Sequence, residues 1–171
     1  MGSNPTLSAK VVVVALRAFA ERPLLGYGPG AFPKIYAQTE YAERFQIDDH
    51  SKERYAHNTY LEVLIGSGGV GLALFLAVLV VAFRNFSEAK RRALPQGDPN
   101  LVILIDTYRL SFAILLIYLL IFSDPYHKYL LVSLGISQVA LRVAASAERA
   151  QRQGLETTDL HSFPRGSRLC R

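Results

Sequence analysis

The sequence predicts an all-α membrane protein, in which an external amphipathic helix and loop precede three transmembrane helices. Two observations carry that reading. Apolar runs at Val63 to Phe83, Leu101 to Phe122 and Tyr129 to Ala145 are each long enough to enter or cross hydrocarbon. The first, as a helix, would reach about 31 Å, close to the thickness of a bilayer's apolar layer. Charge is sparse from residue 63 to 145 and dense on both sides, whereas helices buried in a soluble bundle rarely stay free of charge over such lengths.

The net charge of +5 matters less than its distribution. The connection from Arg84 to Asn100 carries Arg84, Lys90, Arg91 and Arg92, and the tail carries Arg149, Arg152, Arg165, Arg168 and Arg171. The short turn Ser123 to Lys128 holds only Lys128. Excess Lys and Arg marks cytoplasmic segments, so the expectation is a cytoplasmic first connection and tail and an external short turn. Residues 1–59 then form an external (periplasmic) part, 60–146 a three-helix membrane region with spans at about 63–83, 101–122 and 129–145, and 147–171 a cytoplasmic tail. The tail lacks apolar periodicity and is expected to be disordered. No aromatic residues interleave with the Arg92 cluster to stack bases, which argues against nucleic acid as a partner. The single cysteine, Cys170, excludes an internal disulfide and a cysteine metal site.

Lys10 to Arg22 reads as an amphipathic helix. Val11, Val14, Ala15, Ala18 and Phe19 share one face, and Arg17 and Glu21 are spaced as an i,i+4 pair. Pro23 ends it. Arg17 interrupts the apolar stretch too early for a signal peptide, and the run is too short to span a bilayer. Residues 23–32 hold three glycines and two prolines, the chemistry of tight turns. Gly26-x-Gly28-x-x-Ala31 imitates a dinucleotide fingerprint, but a helix precedes it, Pro29 sits inside it and no βαβ unit surrounds it. One short helix is expected within residues 33–56.

Thr59-Tyr60-Leu61-Glu62 fits a capping box, with Thr59 accepting from a free amide and Glu62 reaching back, so the first spanning helix should start near Thr59. His57 stands just before it, at the expected membrane–water boundary. The helix N-terminus offers amides and a positive field to phosphate, and that field favours a neutral imidazole, the form a general base needs. The equal alternative is that His57 and Asn58 merely cap the helix. Gly66, Ser67, Gly68, Gly69 and Gly71 form a small-residue surface suited to close approach by another helix or a lipid chain. Asp106 and Arg109 are spaced to pair on one helix face, either as a structural pair near the cytoplasmic end or, in a transporter part or non-catalytic membrane subunit, as part of a pathway. Arg17, Arg22 and Arg54 share the external part with His57, and a guanidinium fork suits phosphate oxygens. Asp48-Asp49-His50 lacks a second histidine at ligand spacing, so no metal is expected.

Residues Arg22-Pro23-Leu24-Leu25-Gly26-Tyr27-Gly28-Pro29-Gly30-Ala31-Phe32, followed by Ala56-His57-Asn58-Thr59-Tyr60-Leu61-Glu62 and a glycine-bearing helix, resemble the C-terminal part of the O-antigen ligase and O-antigen polymerase family of bacterial membrane proteins. Tyr126-His127-Lys128-Tyr129-Leu130-Leu131, leading into the last helix, is similar to that family's closing helix. The resemblance covers roughly residues 8–146. It implies a multi-pass protein of the bacterial inner (cytoplasmic) membrane, embedded in membrane lipids. The implied activity is a glycosyltransferase of lipopolysaccharide assembly, which moves a glycan from undecaprenyl diphosphate to an acceptor hydroxyl. The acceptor is lipid A–core in ligases and another repeat unit in polymerases, and no cofactor is required. The family's external-loop histidine falls on His57, implied to activate the acceptor. Diphosphate-holding arginines are implied nearby. The family position falls near Ser8 or Lys10, which leaves Arg17, Arg22 and Arg54, with Asn58, as the candidates for substrate binding. Family members carry further upstream transmembrane helices that shape the carrier cavity, so this piece alone is expected to be inactive.

Overall fold

The structure is a computed structural model that describes residues 5–43, 56–122 and 128–162. Among them every regular element is helical, and three helices are long and apolar enough to cross a membrane, in agreement with the predicted fold class. The helices are α1 (Pro5–Glu21), α2 (Phe32–Ala37), α3 (Glu40–Glu43), α4 (Thr59–Ala93), α5 (Pro99–Ile121) and α6 (Lys128–Ser162), with a 3₁₀ turn at Leu94–Gln96.

Helix α1 buries the face expected of it. Val11, Val14, Ala15 and Ala18 pack with Phe32 and Tyr36 of α2, Ala42 of α3, Ala56, and Ile65 of α4 in a small separate core. The helix begins earlier than the expected Lys10, because Pro5 suits a first turn whose N–H groups have no partner. Two short helices, rather than one, follow the glycine-rich loop.

Helix α4 starts at Thr59 as expected, but it is not the straight rod that its apolar run suggests. Gly68 lies at φ 66°, ψ −169°, far outside helical geometry and reachable only without a side chain. In an unbroken helix Tyr60 and Phe75 would stand about 22 Å apart along the axis. Their rings are in edge contact, with centroids 5.8 Å apart. Residues 59–67 are therefore bent sharply off the axis of residues 69–93.

The break exposes backbone groups, and the loop after α1 satisfies them. Continuing the helix would need bonds from the Gly69 and Val70 amides to the Ile65 and Gly66 carbonyls. Instead Gly69 N–H donates to the Pro23 carbonyl (2.7 Å) and Val70 N–H to the Leu24 carbonyl (3.4 Å). The freed Ile65 and Gly66 carbonyls accept from the amides of Tyr27 (2.9 Å) and Gly28 (2.8 Å). Two helical bonds are thus exchanged for four to an inserted loop, which meets the requirement that buried backbone polar groups be paired. The small residues 66–69, expected to receive a separate helix or a lipid, are covered by the chain's own residues 23–28.

Beyond the break, residues 69–93 lie between α5 and α6. Helix α5 runs antiparallel to them: Phe86 meets Phe112 (centroids 5.8 Å) and Lys90 meets Asp106 (2.6 Å). Helix α6 runs parallel, with Leu130 packed among Leu79 and Ala82, and Ala144 among Ala89 and Ala93. The α4–α5 connection follows local rules. Gly97 adopts the left-handed conformation, Asp98 caps α5 by accepting from the Asn100 and Leu101 amides, and Pro99 occupies the first turn. Helix α6 continues through Ser162, past the expected end at residue 145, where a disordered tail is predicted. Alanine-rich turns and ion pairs from Glu148 to Arg152 (2.7 Å) and Arg92 (3.8 Å) support that extension without apolar periodicity.

Candidate functional site

The turn ahead of α4 is fixed by its neighbours' polar groups. Asn58, not Thr59, is the N-cap: it is extended (φ −159°), and its Oδ1 accepts from the Leu61 amide at 3.1 Å. Glu62 does reach back, but one turn further than a capping box requires, its Oε1 accepting from the Ala56 amide at 3.2 Å. Thr59, displaced from the cap, is fully buried, and its hydroxyl donates to the Phe122 carbonyl at 2.6 Å. Tyr60 adds a bond from its hydroxyl to the Leu116 carbonyl at 3.1 Å. The bent segment 59–67 is thereby tied to the end of α5.

Within this strapped turn, His57 is the one described residue other than glycine with positive φ, at 49°. That left-handed conformation costs a residue with a Cβ about 1 kcal/mol or more, although histidine tolerates it better than most. Ala56 on one side is buried and the His57 side chain is exposed. The surroundings hold the backbone in a disfavoured shape and leave the imidazole exposed.

The candidate arginines are distributed unequally. Arg17 lines a groove of about 290 Å³ between α1 and the α2–α3 region, together with Glu21, Gln38, Thr39 and Glu40. Arg22 lies over the Tyr27 ring, 4.7 Å from its centroid. Because the Tyr27 amide is bonded to Ile65, Arg22 is held against the helix break that also orients the His57 segment. The Tyr27 hydroxyl donates to the Glu21 carboxylate, and this bond raises the phenol's pKa above its ordinary value, with burial and the negative charge of Glu21 acting in the same direction. Sequence spacing pairs Glu21 with Arg17 and carries no sign of this bond to Tyr27. Arg54, Asp48, Asp49 and His50, along with Tyr126 and His127, lie outside the described residues.

Asp106 and Arg109 do form a pair, at 3.9 Å, but the closer partner of Asp106 is Lys90, at 2.6 Å. Arg109 also lies over the Phe83 ring, 5.0 Å from its centroid. Asp106 thus pairs with two cations, leaving one net positive charge across α4 and α5 at the end remote from His57, and this mutual pairing supports the structural role.

Two comparisons bear on this arrangement. The chain is 29% identical over 130 residues to the exopolysaccharide production protein ExoQ of Rhizobium meliloti (strain 1021), an alignment covering 74% of this chain and 29% of that protein. The chain thus spans less than a third of the length of this curated relative. Residues 10–76, which contain most of α1, the inserted loop, the His57 turn and the helix break, match the model of the O-antigen ligase family, to which the two motifs are similar.

Proposed function

We propose that this chain carries the external catalytic segment and closing helices of a membrane glycosyltransferase. In the intact protein it would move a glycan from undecaprenyl diphosphate to an acceptor hydroxyl on the periplasmic side of the bacterial inner membrane. The observation that carries this reading is the His57 turn, strained at the backbone, strapped on both sides, exposed at the imidazole and contained in the family-matched segment. His57 takes the proton from the acceptor hydroxyl as its oxygen attacks the anomeric carbon. The bond from that carbon to the diphosphate oxygen breaks with inversion, and the carrier diphosphate leaves with its charge facing Arg22, Arg17 and the amides at the start of α4.

The reaction is expected of the complete protein. The assay is glycan attachment in membranes from cells producing the full-length parent. His57→Ala should lower it by about two orders of magnitude or more. Asn58→Ala, which removes a cap worth about 1 kcal/mol, should leave much of it intact. Unchanged attachment with His57→Ala would refute the base role. A second reading, extension of one repeat unit by another rather than transfer to lipid A–core, is favoured by the name of the ExoQ relative, an exopolysaccharide production protein. Long products formed without any lipid A–core acceptor would select it.

A further inference from the structure

We infer that the three-helix unit presents a shortened apolar band to lipid and thins the bilayer around the His57 end; this goes beyond the transferase reading and does not depend on it. Three elements give similar lengths independently. Residues 69–83, between the helix break and Arg84, carry no charge and rise about 22 Å. Residues 110–121 of α5, from Arg109 to the helix end, rise about 18 Å, and residues 129–141 of α6, between Lys128 and Arg142, about 20 Å.

The basic ends of these stretches share one level. Arg109 lies over Phe83, the neighbour of Arg84, and Leu141, the neighbour of Arg142, shares a groove with Arg84 and Glu88. Arg84 and Arg142 are exposed. A hydrocarbon layer is about 30 Å thick, and snorkelling recovers only part of the deficit. The helix break makes the mismatch unavoidable on α4, because it removes residues 59–67 from the rod. Along the band the surface is apolar and open, with Leu74, Val78 and Val81 on α4, Ile114, Ile117 and Ile121 on α5, and Leu131 and Val139 on α6 all exposed. Apolar flanks that end at one shared level of arginines fit acyl chains. At the other rim, the Thr59 bond to the Phe122 carbonyl fixes the His57 segment to the band's edge, so local thinning would bring lipid headgroups to its level.

The test places single nitroxides at Ile103, Leu110 and Ile117 in the full chain, with Cys170→Ser, in dioleoyl phosphatidylcholine bilayers. Ile117 should be relaxed by oxygen and shielded from a water-soluble nickel chelate. Ile103, below the arginine level, should be several-fold more accessible to nickel than Ile117. Equal shielding of Ile103 and Ile117 from nickel would place the arginine level inside full-thickness hydrocarbon and overturn the proposal. Shielding of Ile117 from both relaxants would show protein on that face and also overturn it. A second measurement uses lipid length: the unfolding midpoint should be higher in dimyristoleoyl than in dierucoyl phosphatidylcholine. Arg84→Leu with Arg142→Leu, which lengthens the band, should shrink that preference. No preference in the parent chain would overturn the proposal.

Discussion

Replacing Gly68 with alanine tests the account of the helix break most directly. At φ 66°, ψ −169°, an alanine would carry backbone strain of about 1–3 kcal/mol. Its Cβ would lie 2.2 Å from the Leu24 carbonyl oxygen, 2.3 Å from the Leu24 carbonyl carbon and 2.6 Å from the Leu25 nitrogen, all backbone atoms with no soft rotamer to yield. Relief would require withdrawing the loop, which loses inter-segment hydrogen bonds worth about 0.5–1.5 kcal/mol each. With all four bonds lost, these give a destabilisation of about 3–9 kcal/mol for Gly68→Ala. Two glycines serve as controls. Gly97 also has positive φ (74°), but a Cβ there would meet nothing within 4 Å, so Gly97→Ala should cost only the conformational part, about 1 kcal/mol. Gly135 lies in the interior of α6 with open space around it, so Gly135→Ala should stabilise by up to about 1 kcal/mol. The assay is helix loss monitored by circular dichroism during dodecyl sulfate titration of detergent-solubilised protein. A Gly68→Ala midpoint equal to that of Gly97→Ala would mean that the loop does not occupy the break, and the reasoning would fail.

Three further outcomes are expected. His57→Gly should be more stable than His57→Ala by about 1 kcal/mol, because glycine accepts φ 49° without strain; equal stabilities by the same titration would remove the argument for a constrained turn. Tyr27 should ionise at higher pH than a free tyrosine, because its hydroxyl donates to Glu21. The folded-state pKa lies above the unfolded value of 10.0, so the contribution of this bond is fully present below that pH and is lost as pH rises through the folded pKa. Difference absorbance of the parent against Tyr27→Phe isolates this titration, and Glu21→Gln should lower its midpoint. Asp106→Leu should cost more than the double change Asp106→Leu with Lys90→Met, because the single change strands a cation beside the bundle; a larger loss in the double variant would count against the Lys90 partnership.

The broad architecture was legible because hydropathy and charge segregation act over long stretches. The α1 face, the start of α4 at Thr59 and the three apolar helices follow directly from period and composition. What was not legible depended on contacts between distant segments. Gly66, Gly68 and Gly69 stood out as small, but only the approach of Pro23 and Leu24 reveals that they mark a break rather than a packing surface. Thr59 matched the capping pattern, yet the Phe122 carbonyl claims its hydroxyl and leaves the cap to Asn58. Lys90 is sixteen residues from Asp106 and gives no local sign of being its partner. For the candidate site, the motif around His57 was readable, whereas its backbone conformation was not.

The exchanged hydrogen bonds also make the shape of α4 depend on a distant stretch of chain. Without residues 23–28, the amides of Gly69 and Val70 have the Ile65 and Gly66 carbonyls as their natural partners, and the whole of α4 would zip into one rod about 52 Å long. The mature shape therefore cannot be encoded in the spanning segment alone. It also depends on residues 23–28, whose backbone groups take the places of the missing helical partners. Mutations in residues 23–28 would then alter the spanning helix itself, straightening a segment that they do not belong to.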